Sequence, residues 1–134
     1  MTANPARLLC ELIALPSVNP ALLPGGDPRA GERRVAEFLA ATAAKAGLDV
    51  ELQEVFPGRS NLVAVLGATG QPRRRVLLAP HMDTVGVASD DHFKPVTRSQ
   101  RIHGRGACDT KGSVAAMLSA LLELATRPVR PAAT

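Results

Sequence analysis

Aromatic side chains are nearly missing from this chain. None of its 134 residues is Trp or Tyr, and only Phe38, Phe56 and Phe93 carry a phenyl ring. A protein that grips single-stranded nucleic acid interleaves its cations with flat rings on which bases stack. Here the formal net charge of +4 comes from dispersed residues, and the one run, Arg73, Arg74 and Arg75, reads as a solvated basic loop. Nucleic acid binding would rest on charge alone, so no nucleic acid partner is expected. Cysteine is scarce too: Cys10 and Cys108 cannot make a disulfide framework, which points to a reducing compartment. No apolar run approaches the roughly 20 residues of a membrane span. The apolar start at residues 8–15 is interrupted by Glu11 and lacks the basic region and long apolar stretch of a signal peptide. The expectation is a cytoplasmic chain with no membrane contact, one domain's worth in length and able to bury a sizeable core.

What is present centres on residues 76–85, VLLAPHMDTV. Val76, Leu77, Leu78 and Ala79 form a continuous apolar run, which suits a strand buried on both faces, although a buried helical turn can look alike over so few residues. Pro80 cannot donate to a ladder and fits where pairing stops. His81 and Asp83 follow, two apart, so in extended chain they project to the same side. A His-x-acid pair also arises by chance in a chain with 3 His and 12 acidic residues. Its place after an apolar strand is what singles it out, because ligands of open α/β sheets bind at that end.

Around this stretch the elements read in order. Asn4 and Pro5 make an N-cap and a first helical position, and Leu8, Leu9, Leu12 and Ile13 recur at helical spacing until Pro16. Asp27 with Pro28 is expected to cap a second helix whose apolar face includes Val35, Phe38 and Leu39 and which stops at Gly47. Alternation over residues 49–55 predicts a half-exposed strand, Pro57-Gly58 breaks it, and residues 61–66 predict another. Residues 70–75 read as a polar turn. Strands joined by such short loops imply at least some antiparallel pairing. Residues 87–99 read as a loop, and residues 96–98 with 102–103 as a short hairpin. Val114, Met117, Leu118, Leu121, Leu122 and Ala125 predict a helix with a broad buried face. The fold class expected is α/β, a mixed β-sheet flanked by helices.

Before that last helix stands a glycine-rich turn, residues 104–112, GRGACDTKG. It is not a phosphate loop, since Thr110 occupies the second glycine's place. It is a poor dinucleotide fingerprint, since Asp109 would repel a pyrophosphate. Two readings stay open: Asp109 caps the helix, or the turn presents its carboxylate. With the upstream stretch the second gains weight. His81 offers a nitrogen ligand, Asp83 can accept the other ring N–H or act on a catalytic water, and Asp109 has two oxygens with which to bridge cations about 3.5–4 Å apart.

Taken together, His81-Met82-Asp83-Thr84-Val85 and residues 104–112 resemble the di-zinc aminoacylase/acetylornithine deacetylase/succinyl-diaminopimelate desuccinylase/carboxypeptidase G metallopeptidase family. Ser17-Val18-Asn19-Pro20 and Ser60-Asn61-Leu62 are similar to it as well. The resemblance implies that His81 ligates one zinc, that Asp83 is the catalytic acidic residue beside it, and that Asp109 bridges two Zn2+ ions; Co2+ or Mn2+ fit the same donors. It implies hydrolysis of an amide bond in N-acyl amino acids or small peptides, and a homodimeric parent. The family also uses a Glu-Glu pair, a further acidic ligand and a late His. This sequence has no Glu-Glu pair and its last His is His103. Residues 1–134 are therefore expected to be the N-terminal portion of a zinc-peptidase (phosphorylase/hydrolase-like) catalytic domain, with the remaining catalytic half and the lid and dimerisation domain absent, and inactive alone. His92 and His103 read as solvated residues of loop and hairpin. An unfilled sheet edge is expected. The alternative is a non-catalytic metal- or partner-binding module derived from the family.

Overall fold

The computed structural model describes residues 4–68, 70 and 74–129. Among these described residues three helices and two antiparallel hairpins follow one another: α1 (Pro5–Ile13), α2 (Arg33–Lys45), β1 (Asp49–Phe56), β2 (Arg59–Val65), β3 (Val96–Arg98), β4 (Arg101–His103) and α3 (Lys111–Ala125), with 3-10 turns at Pro20–Leu22 and Asp90–Phe93. The class is α/β, as the patterning predicts. Among the described residues the named strands pair antiparallel, β1 with β2 and β3 with β4, in two separate two-stranded sheets, and Val18 makes isolated parallel bridges to Ala30 and to Thr84.

Local chemistry accounts for the helices. Asn4 Oδ1 accepts the Arg7 N–H at 3.1 Å, and Pro5 occupies the first turn, where no intrahelical donor is needed. Helix α2 ends where Gly47, at φ +79°, and Leu48 return their N–H groups to Ala44 and Ala43. The expected cap at Asp27 is corrected. Helix α2 starts six residues later with Glu32 at its N-cap, and Asp27 instead accepts from the Arg29 N–H at 2.8 Å and from the Arg29 guanidinium. The residues between are diverted: Ala30 bridges Val18, and Gly31 gives its N–H to Val18 O. Glu32 is buried against Arg59 of β2, which ties the head of α2 to the hairpin.

One core joins these pieces. Leu8 and Leu12 of α1 meet Val114, Ala115 and Leu118 of α3, and Val35, Leu39 and Ala43 of α2 close over the β1–β2 hairpin with Leu48 and Leu66. In β1 only Val50 is half-buried, so the strand is more exposed than its alternation suggests.

The larger correction concerns residues 76–79. They are neither in a ladder nor buried: Val76 is 65% and Leu77 88% exposed. A strand exists by virtue of neighbours that take its N–H and C=O groups and cover its side chains. Here a groove of about 470 Å³ separates Leu77 to Met82 from Asn61 to Ala64 of β2 and from α3. The apolar run thus lies along an open edge. In the polar turn before it, Arg74 and Arg75 are exposed, while Gln71, Pro72 and Arg73 lie outside the described residues.

Candidate metal centre

Because residues 76–79 lack a ladder, His81 and Asp83 are fixed from the other side. Thr84 donates its N–H to Ser17 O and accepts from the Asn19 N–H, both at 2.9 Å, while Ser17 Oγ donates to Met82 O at 2.8 Å. The Ser17-Val18-Asn19 stretch is therefore the partner of Met82-Asp83-Thr84. The second half of the site comes from the turn before α3. A Cβ at Gly104 would lie 2.5 Å from Ile13 Cγ2, and Gly106, at φ +80°, would place one 2.9 Å from Thr84 Cγ2, so both positions need glycine for close approach.

This packing brings together the three side chains singled out in the sequence. His81 Nε2 stands 2.9 Å from Asp109 Oδ1, and His81 Nδ1 stands 3.1 Å from Asp83 Oδ1. Asp109 does not cap α3: the N-cap is Thr110, without a side-chain bond. The second oxygen of Asp83 accepts from Asn19 Nδ2 at 2.9 Å. Asp83 thus makes the contacts of an acceptor that fixes the ring, with its other oxygen held in turn. Burial alone pulls the His81 imidazole down, but the Asp109 carboxylate, the Asp83 backbone carbonyl 3.1 Å from Nδ1 and the Asp83 carboxylate outweigh it and raise the ring above its ordinary value. Burial pushes Asp83 up, and the Asn19 hydrogen bond with the neighbouring His81 more than reverses this. The group lines a cleft of about 370 Å³ together with Arg105 and Cys108.

The donor chemistry suits a divalent cation. Zinc lies about 2.0–2.1 Å from nitrogen and oxygen ligands, so two donors of one tetrahedral ion sit roughly 3.3 Å apart. His81 Nε2 and Asp109 Oδ1, at 2.9 Å, are in direct hydrogen-bond contact, so the pair would open by a few tenths of an ångström to admit the ion, with Nδ1 already engaged. The donor count is short: among the described residues no group of three or more His, Cys, Asp and Glu is gathered to hold an ion, whereas catalytic zinc usually has three protein ligands. His92, in a 3-10 turn, and His103, in β4, are both exposed, as expected of solvated residues.

Two contributors escape a reading by spacing. Asn19 acts across 64 positions of chain, and nothing near it in sequence signals a carboxylate partner. Lys111, only 1% exposed, donates from Nζ to Leu12 O at 2.8 Å and Leu15 O at 2.6 Å. Burial, with a smaller push from Arg34, brings its ammonium down to about 8. Its sequence signals are its place in the glycine-rich stretch, residues 104–112, and a cation at the first position of an apolar helix.

The profile of peptidase family M20/M25/M40 matches residues 77–134. A peptidase M20 domain-containing protein of Schizosaccharomyces pombe is 42% identical over 97 residues, 69% of this chain and 22% of that protein. A succinyl-diaminopimelate desuccinylase of Methylobacterium sp. is 35% identical over 131 residues, 90% of this chain and 30% of the enzyme. An acetylornithine deacetylase of Myxococcus xanthus is 35% identical over 92 residues, 64% of this chain and 24% of the enzyme. The chain thus spans less than a third of the length of these curated relatives. Residues 77–134, which carry His81, Asp83 and Asp109, are thus the part of this chain that matches peptidase family M20/M25/M40.

Proposed function

We propose that this chain carries part of the divalent-metal centre of a hydrolase that cleaves amide bonds in N-acyl amino acids or small peptides. The observation that supports this reading most is the 2.9 Å approach of His81 Nε2 to Asp109 Oδ1 across 28 residues of chain, with Asp83 on the opposite ring nitrogen. The family match over residues 77–134 supports the reaction class, and two relatives bear the names of a desuccinylase and a deacetylase. His81 Nε2 and Asp109 are the residues that would hold the cation, Zn2+ first, with Co2+ or Mn2+ also suited. Such a cation supplies Lewis acidity, acidifying water and polarising a carbonyl. Asp83 keeps the Nδ1 proton in place, which turns the Nε2 lone pair toward Asp109. Asn19 holds Asp83 to that task. The second carboxylate oxygen of Asp109 leaves room for a second cation. A cytoplasmic setting and a homodimeric parent are proposed with it.

The two-donor set favours one other reading, a non-catalytic module that holds a metal or a partner. Calorimetric titration of the 134-residue chain with Zn2+, together with an assay on N-acyl amino acids, distinguishes them. The expected result is weak binding that disappears in His81→Ala and in Asp109→Ala, and negligible hydrolysis by this chain alone. Zinc uptake unchanged in both variants would refute the assignment. Efficient zinc-dependent cleavage would show that the described donors suffice, against the expectation.

A further inference from the structure

We propose that Lys111 is a positioning residue that holds Asp109 opposite His81 by tying the turn before α3 to the C-terminal end of α1. The inference rests on the reading of His81 and Asp109 as cation ligands.

Two features of Lys111 are unfavourable taken alone. Its ammonium is enclosed, and burying a charge is costly. It also stands at the first position of α3, where the helix dipole is positive and repels a cation. A solvated lysine elsewhere would avoid both. What offsets them lies on another helix. Nζ donates to Leu12 O in the last turn of α1, where the dipole is negative and acceptors outnumber intrahelical donors, and to Leu15 O just past its C-cap. The side chain therefore joins two chain segments nearly a hundred residues apart.

Its path passes the site. The Lys111 N–H donates to Gly106 O at 2.8 Å, and a Cβ at Gly106 would lie 3.0 Å from Lys111 Cδ. On the other flank Gly106 meets Thr84, which the Ser17 and Asn19 backbone holds in place. Asp109 sits within the loop closed by the bond from Lys111 to Gly106. The ammonium points at α1 carbonyls, so its removal alters where Asp109 stands and leaves the donor atoms themselves unchanged.

The test uses the 134-residue chain and Co2+ as the probe, with calorimetry for affinity and visible absorption for coordination geometry. Lys111→Met keeps the length and removes the donors. It is expected to weaken Co2+ binding roughly tenfold to a hundredfold, the range for groups that orient metal ligands, and to change the absorption spectrum. Far-ultraviolet circular dichroism should stay unchanged, and Lys111→Arg should regain most of the affinity. A folded Lys111→Met chain with the affinity and spectrum of the unsubstituted one overturns the proposal. Should Lys111→Met fail to fold, nitrogen-edited NMR of the unsubstituted chain decides. A Lys111 ammonium whose protons exchange slowly with water upholds the tether, and rapid exchange overturns it. If the unsubstituted chain takes up no Co2+ through His81, the metal reading alone falls, and the ammonium measurement still decides the tether.

Discussion

His81 has a carboxylate at each ring nitrogen, and this makes a proton the direct competitor of any cation at Nε2. The two carboxylates and the Asp83 backbone carbonyl outweigh burial and raise the imidazole, so it keeps its proton to higher pH than a free histidine. Without metal, the contacts of the protonated ring stabilise the fold fully below about pH 6.5, the ordinary histidine value, and that contribution fades as pH rises through the raised value. The effect is small because the ring is half-exposed. With metal the sign reverses. Affinity is expected to be low below the raised value and to climb as pH passes upward through it, approaching tenfold per pH unit on the acidic side if one proton is displaced. Titration with Co2+ across that window checks this. An affinity that is flat from pH 5.5 to pH 8, or that falls, would place the ligand elsewhere.

Among the elements, α1 holds the arrangement together. Leu12 and Ile13 are wholly buried, Leu12 against the core and Ile13 against Gly104, while the carbonyls at the same end receive Lys111. Leu12→Ala is expected to cost about 3–5 kcal/mol, the range for a leucine removed from a closed core. Urea unfolding would measure it, and a loss under 1 kcal/mol would mean that the α1–α3 contact is dispensable. Both partners in that contact are legible in the sequence, because an amphipathic helix needs only its own period and caps. Asn4-Pro5, Gly47 and the repeat from Val114 to Ala125 are signals of that local kind. Asp27 misleads because Val18 competes for the backbone of residues 30–31, and a cap signal read from Asp27 and Pro28 carries no record of that pairing. Residues 76–79 mislead for a related reason: apolar continuity signals a place for a strand, but the strand itself depends on neighbours.

At the scale of the whole molecule the candidate site is assembled from three separated segments: residues 17–19, 81–84 and 104–111. Two of them announce themselves, since His81 and Asp83 follow an apolar run and Asp109 sits in a turn rich in glycine. Their meeting at hydrogen-bonding distance could only be expected from the resemblance, because no spacing rule links positions 28 apart across a hairpin. Asn19 and Lys111 both fall in stretches that carry the resemblance, but their roles are not legible there, because they act through tertiary contacts with Asp83 and with the Leu12 and Leu15 carbonyls. The site and its supports nevertheless lie within a chain spanning 22–30% of the relatives compared.

That His81 and Asp109 share one cation is open to direct test through the ring nitrogens of His81, followed by NMR as Zn2+ is added to the 134-residue chain. The account predicts that Nε2 takes the shift of a metal-bound nitrogen while Nδ1 stays protonated toward Asp83, and that Asp109→Ala abolishes the change. Zinc that leaves His81 untouched, enters through Nδ1, or binds equally well without the Asp109 carboxylate would contradict it.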